Sequence, residues 1–354
     1  MDNQEVRIMD NMEVLRCLCR KDILSIESVK LIVKKNTNID IEVSSKKIRN
    51  IVGFDFSLRD ERFFVTERKI SYYNKKYGTT LKLQERMLKL SIPIFFYIGE
   101  GTLDRDINTI NSSKYPIVRS NEWLSNNFSP EIASTYLNKY FSKSNCLGEY
   151  KDIIFEATEA YYLSMPHVAI MSLLPVFEAG LRNLQHKING SDLTNVSSEK
   201  FESGIGSILF NWGEKVLKGY DHYPGNGYDN QVLSDFLVHL NPQCDVISSF
   251  KIFFREVLYK PSNEESNGFN RHMILHLLKN DFNSPSNFIR LFLAITHITF
   301  IEGLYNEGLS VFWPGSDADD QALGVYFRAL ESKIGTPRKK LVASLGFGSS
   351  HVDA

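Results

Sequence analysis

The stretch Asn267-Gly268-Phe269-Asn270-Arg271-His272-Met273-Ile274-Leu275-His276-Leu277-Leu278 places an arginine, two histidines and an asparagine at the opening of an apolar run. Gly268 and the asparagines around it supply turn chemistry, so a helix is expected to begin near Phe269 or Asn270. Arg271 is permanently cationic, and its guanidinium fork matches phosphate oxygens. His272 and His276 belong to the side-chain type that changes charge near neutral pH. The free N–H groups of a helix start also favour anions. This combination suits a site that holds a phosphate and moves a proton.

A plainer reading stands beside that one. Residues five apart on a helix, such as Arg271 and His276, point roughly 140° apart and converge only where the helix edge faces a cleft or a partner. His272 and His276 are four apart, share a face and could ligate a metal. No Cys or acidic cluster at ligand spacing accompanies them, so no metal and no other cofactor is expected.

A second stretch belongs with the first. Residues 167–186 read as a helix with Met171, Leu174, Leu181 and Leu184 on one stripe and Glu178 in its middle. A carboxylate on an apolar stripe needs a partner. Arg271 is one candidate, and Arg182, its i+4 neighbour, is the other. Pro175 should kink or break this helix.

Arg271, the polar His272, three further residues and then His276 resemble the signature of the HEPN superfamily (higher eukaryote and prokaryote nucleotide-binding domains). Asn270 before the arginine is similar to its bacterial members. Those members often continue with Gly after the final His, where this chain has Leu277. Residues 160–181 resemble the earlier family helix that carries an acidic residue, here Glu178. The likeness covers roughly residues 148–308, under half the chain.

The resemblance implies a helical bundle that pairs as a homodimer and, in active members, cleaves RNA without a metal. His276 would act as general base on a ribose 2′-OH or as acid on the leaving oxygen. Arg271 would neutralise charge growing on the phosphorane-like transition state, with Glu178 holding it. His272 or Asn270 would orient the phosphate. The products would be 2′,3′-cyclic phosphate and 5′-OH ends. RNA, with tRNA among the candidates, is the expected partner, along with an inhibitor or trigger protein. The implied settings are bacterial antiviral defence, abortive infection or a toxin–antitoxin system. Two other readings stay open: a non-catalytic HEPN-like module for dimerisation or for RNA or nucleotide binding, and a helical scaffold in which Arg271 merely pairs with Glu178.

Composition bounds these readings. The 354 residues suffice for one large or two modest domains, and 43% hydrophobic with 23% charged residues is ordinary for a globular chain. A formal net charge of -1 excludes broad electrostatic coating of nucleic acid, so any RNA contact must be local. Cys17, Cys19, Cys146 and Cys244 form no CxxC pair, which suits reduced thiols in a cytoplasm. The polar N-terminus is no signal peptide, and no apolar run reaches membrane-spanning length free of charge.

Along the chain, a mainly α protein is expected: a mixed α/β accessory domain at 1–145, a HEPN-like helical domain at 146–312, and a C-terminal helix with a flexible tail at 313–354. Helices are expected at 11–19 and 23–35, a strand at 39–43, a small helix at 44–52 ended by Gly53, and helical character at 60–77. A buried extended segment comes next at 91–98, then a loop-dominated connector at 99–130 and a helix at 130–141. The boundary is expected at 142–148, and helices dominate thereafter. Lys46, Lys47, Arg49 and Arg68 raise a nucleic-acid arm, set against an ordinary solvated face. The Gly-rich loop 218–228 offers Tyr220, Tyr223 and Tyr228 for stacking on bases. His297, inside an apolar helix, reads as a satisfied core histidine.

Overall fold

A computed structural model of the chain describes residues 9–76, 80–194, 197–217, 230–261, 269–278 and 280–347. It is mainly helical, with one small antiparallel sheet among the N-terminal helices. Helix α1 (Asn11–Cys19) is capped by the Asp10 side chain, which accepts from the Glu13 N–H. Helix α2 (Ile26–Thr37) starts with a reciprocal capping box between Ser25 and Ser28. Strands β1 (Val43–Ile48), β2 (Ile51–Leu58) and β3 (Glu61–Thr66) come next, in the order β1-β2-β3.

This sheet corrects the small helix expected at 44–52 and the first part of the helical reading of 60–77, of which residues 70–76 are helical. Gly53 lies inside β2 instead of ending a helix. A Cβ there would stand 2.3 Å from the Val65 carbonyl oxygen, so the close strand approach requires glycine. The turn between β2 and β3 holds Arg59 at φ 50 and Asp60 at φ 68, two consecutive left-handed residues as the twist of a tight hairpin demands.

Helix α3 (Ile70–Lys76) and α4 (Thr80–Leu88) come after the sheet, then an extended buried segment through Ile92, Ile94 and Phe95. The connector expected at 99–130 is instead two helices, α5 (Glu100–Asn111) and α6 (Pro116–Asn127). Polar residues mask a sparse apolar stripe, Leu103, Ile107 and Ile110, and Pro116 opens α6 at the position where its missing N–H is not needed. Helices α7 (Pro130–Lys139) and α8 (Lys151–Tyr162) precede α9 (Pro166–Asn189), which runs through Pro175 without a break and ends on left-handed Gly190.

The remaining elements are α10 (Ser198–Leu217), α11 (Asn230–Leu240), α12 (Pro242–Phe253), the short α13 (Arg271–Leu275), α14 (Pro285–Gly303), α15 (Ala318–Leu330) and α16 (Thr336–Ser344). The basic patch Arg338, Lys339 and Lys340 lies within α16, and Arg338 donates to the Ser164 carbonyl at 2.6 Å. Among the described residues no helix is long and apolar enough to cross a membrane.

The chain divides into two compact units, residues 1–80 with 209–248 and residues 81–208 with 249–354. These differ from the expected segments because the 142–148 loop is interior to the larger unit. The Glu302 carboxylate accepts from the Asn145 N–H at 2.7 Å, the Ser144 hydroxyl at 2.5 Å and the Cys146 N–H at 3.3 Å, pinning that loop. Trp313, at the start of the expected tail, likewise packs on Tyr97 and Tyr136.

In the smaller unit, Val14, Leu15, Leu18, Val29 and Val33 pack with Phe54, Phe56, Leu58, Phe63 and Val65 of the sheet. In the larger unit, α14 is buried on every face from Ser286 to Glu302, as suits a helix apolar all round. Helix α9 packs on α8, α13 and α14. Gly180 permits its approach, since a Cβ there would meet Leu147 at 2.3 Å and Ile298 at 3.1 Å. None of the four cysteines forms a disulfide, and burial pushes Cys244 up to about 12 and Cys146 higher still.

His297, 0% exposed on α14, sits between the rings of Phe96 and Phe250. Its Nδ1 meets the Leu293 carbonyl at 2.9 Å, while Nε2 has no partner, so this core histidine is only half satisfied. Burial pulls it down to about 4, opposed weakly by that carbonyl. A depressed histidine binds a proton in the unfolded chain before the folded one. Stability is therefore full above about pH 6.5 and falls towards pH 4, by up to about 3 kcal/mol for this group. Urea unfolding at pH 7 and pH 4.5 should show a loss in wild type that His297→Leu reduces by about 2–3 kcal/mol.

Candidate functional site

Three elements of the larger unit build the site. Helix α9 supplies Glu178, which is 8% exposed. Beyond α12 the backbone widens into a π-helical turn over Phe254–Leu258, closed by the Tyr259 N–H to the Phe254 carbonyl at 2.9 Å. Such turns insert an extra residue and re-aim the side chains after it. Tyr259 stacks on Phe254, with ring centroids 4.2 Å apart, and donates its phenol to Glu178 Oε1 at 2.6 Å.

Helix α13 supplies Arg271. Its Nε donates to Glu178 Oε1 at 2.5 Å and its Nη2 to Oε2 at 3.4 Å, while the guanidinium lies over the Tyr259 ring at 5.6 Å. The carboxylate on the apolar stripe of α9 thus takes Arg271, across 93 residues of chain, as its ionic partner.

The electrostatics derive from this triangle. Burial raises the Tyr259 phenol far above its usual range, and the Glu178 charge adds to it, so it stays a neutral donor. Burial alone would lower Arg271, but the bond to Glu178 and its charge outweigh that and hold the guanidinium above its ordinary value. Arg271 remains cationic and keeps 22% of its side chain open to solvent.

Asn270 departs from its expected role. It is 0% exposed and caps α13: Oδ1 accepts from the His272 and Met273 N–H groups at 3.0 and 3.2 Å, and Nδ2 donates to the Lys260 carbonyl at 2.7 Å. Its Oδ1 is taken up in positioning the helix, and the fully buried carboxamide offers no surface to a phosphate. The helix itself is a single short turn, so the anion-binding helix start expected here is absent.

His272 and His276 are exposed on one face of that turn, with ring centroids 4.5 Å apart. Among the described residues no group of three His, Cys, Asp or Glu side chains gathers to hold a metal. Tyr220, Tyr223 and Tyr228 lie outside the described residues. Tyr259 was not legible in the sequence, because no spacing rule links residues 81 apart.

Leu277 ends the helix at φ 49, in the left-handed region. This is the position at which the resemblance would place Gly, and the backbone adopts the geometry a glycine takes freely. Leucine bears the cost, and its side chain, 60% exposed, gives little packing in return. Past this turn, His167 at the start of α9 meets Asn280 at 2.9 Å and Phe282 edge-on, tying the loop back to α9.

Two stability measurements test this anatomy. Leu277→Asn should raise stability by about 0.5–1 kcal/mol in urea unfolding, since Asn tolerates the left-handed conformation. Glu178→Ala should lose about 3 kcal/mol by stranding Arg271 and Tyr259, whereas His276→Ala, at an exposed position, should stay within about 0.5 kcal/mol.

Compared with family models, with curated proteins and with solved structures, the chain matches none.

Proposed function

We propose that the chain is a metal-independent endoribonuclease of HEPN type, acting in bacterial antiviral defence or a toxin system. The observation that carries this reading is one short helical turn that bears both Arg271, bound by Glu178 and lying over Tyr259, and the exposed imidazoles of His272 and His276. A guanidinium held in place costs no reorganisation when charge grows on a phosphate, which is where such a group contributes most. Arg271 would donate to the non-bridging oxygens of the scissile phosphate on its open side. His276 would take the 2′-OH proton while O2′ attacks phosphorus and the P–O5′ bond breaks. The proton to O5′ would come from a second imidazole: His272 in the same chain, or the partner subunit's His276 in the homodimer that the resemblance implies. The products would be a 2′,3′-cyclic phosphate and a 5′-hydroxyl.

The chemistry requires a ribose hydroxyl, so RNA should be cut and DNA left intact. With EDTA present, wild type should cleave tRNA or total RNA to cyclic-phosphate ends. His276→Ala should slow cleavage about 10²–10⁴-fold, and Arg271→Ala about 10²–10³-fold. End mapping and rate comparison check this. RNA binding without cleavage by wild type would favour the non-catalytic module, and cleavage unchanged in His276→Ala would remove the reading.

A further inference from the structure

Arg290 on α14 is 4% exposed. Among the described residues no carboxylate pairs with it, although a buried cation ordinarily has one. Its partners are neutral: Nε and Nη2 donate to the Leu90 carbonyl at 3.2 and 3.1 Å, Nη1 to Asn287 Oδ1 at 3.0 Å, and Nη2 also to Asn121 Oδ1 at 2.9 Å and Ser120 Oγ at 3.3 Å. Nη1 carries two hydrogens and has only Asn287 to receive them, so one N–H is left over. Burial lowers the guanidinium to about 9, still well above neutral, so the charge persists.

Arg290 lines a cavity of about 140 Å³, together with the polar residues Ser91, Asn121, Asp281, Ser284 and Asn287. That is roughly ten times the space one water needs, room for a tetrahedral oxyanion and part of what it is attached to. The cavity opens at the start of α14, where Ser284 makes no side-chain cap bond to the helix. Hydroxyls and amides stand in the wall beside the apolar Leu90 and Ile117, and these polar groups can donate to anionic oxygens. Asp281, at the exposed edge, can accept from a P–OH.

We propose that this cavity is a phosphate-binding site, in which Arg290 supplies the charge, for free phosphate or for the phosphate group of a mononucleotide. It is built from residues other than those around Glu178 and Arg271 and does not rest on the nuclease reading. The guanidinium is pre-positioned by four neutral acceptors, so binding an anion needs no rearrangement, only compensation of a charge already buried.

Arg290→Met is the direct test but removes a structural cross-link, so a second variant is needed. Asn121→Asp keeps the acceptor of the Arg290 bond and places a permanent carboxylate against the guanidinium. In thermal unfolding, 10 mM sodium phosphate should raise the wild-type midpoint by about 3 °C over sodium chloride of equal ionic strength. Asn121→Asp should unfold at a higher temperature than wild type and lose the phosphate response. Arg271→Gln, which alters the other site, should keep it. A larger rise with adenosine monophosphate than with phosphate would assign a nucleotide as the source, and an equal or smaller rise would assign free phosphate. No phosphate-specific rise in wild type, an undiminished rise in Asn121→Asp, or loss of the rise in Arg271→Gln would each overturn the proposal.

Discussion

The Glu178 carboxylate is the constraint on which the site depends. It sits on the buried face of α9 and must be compensated there, and it is shared between a guanidinium and a phenol that arrive from distant parts of the chain. Each arrival has its own local cause. The π-helical turn after α12 swings Tyr259 towards α9, and the Asn270 cap sets the direction of the one-turn helix that carries Arg271. Removing the carboxylate would leave a half-buried guanidinium and a half-buried phenol without their shared partner.

The larger unit handles its buried charges in different ways. Glu178 is paired with a cation. Glu302 is satisfied without one, by hydroxyl and backbone N–H donors from the 144–146 turn. Arg290 is surrounded by neutral acceptors, and His297 escapes by remaining uncharged. Hydrogen bonds can replace solvent for a buried ion when enough of them converge, whereas a histidine can simply give up its proton.

Much of this is legible in the sequence, for physical reasons. The mainly helical class comes from the periodicity of residues 151–163, 167–186 and 285–303, whose apolar stripes are dense. That Glu178 needs a partner comes from the cost of an isolated carboxylate on such a stripe, which leaves Arg271 and Arg182 both open. The hairpins do not show, because their turns use Arg49 and Arg59-Asp60 in place of the Asn-Gly or Asp-Gly pairs that mark such turns. Helices α5 and α6 do not show because their stripes are thin and their exposed faces rich in turn-forming residues. Asn270 reads as a phosphate ligand because capping and ligation draw on the same carboxamide, and only its burial separates the two.

The complete enclosure of α14 has a dynamic consequence. A helix whose every face is covered has no exposed side from which to fray, so its central amides can meet solvent only when the whole larger unit opens. One rod thus carries the Arg290 cavity at its start, His297 in its middle and the Glu302 clasp at its end. Those three features stand or fall together. The short turn of α13, by contrast, is anchored by the buried Phe269, Met273 and Ile274, the Asn270 cap and the ion pair to Glu178, while His272 and His276 stay open to solvent.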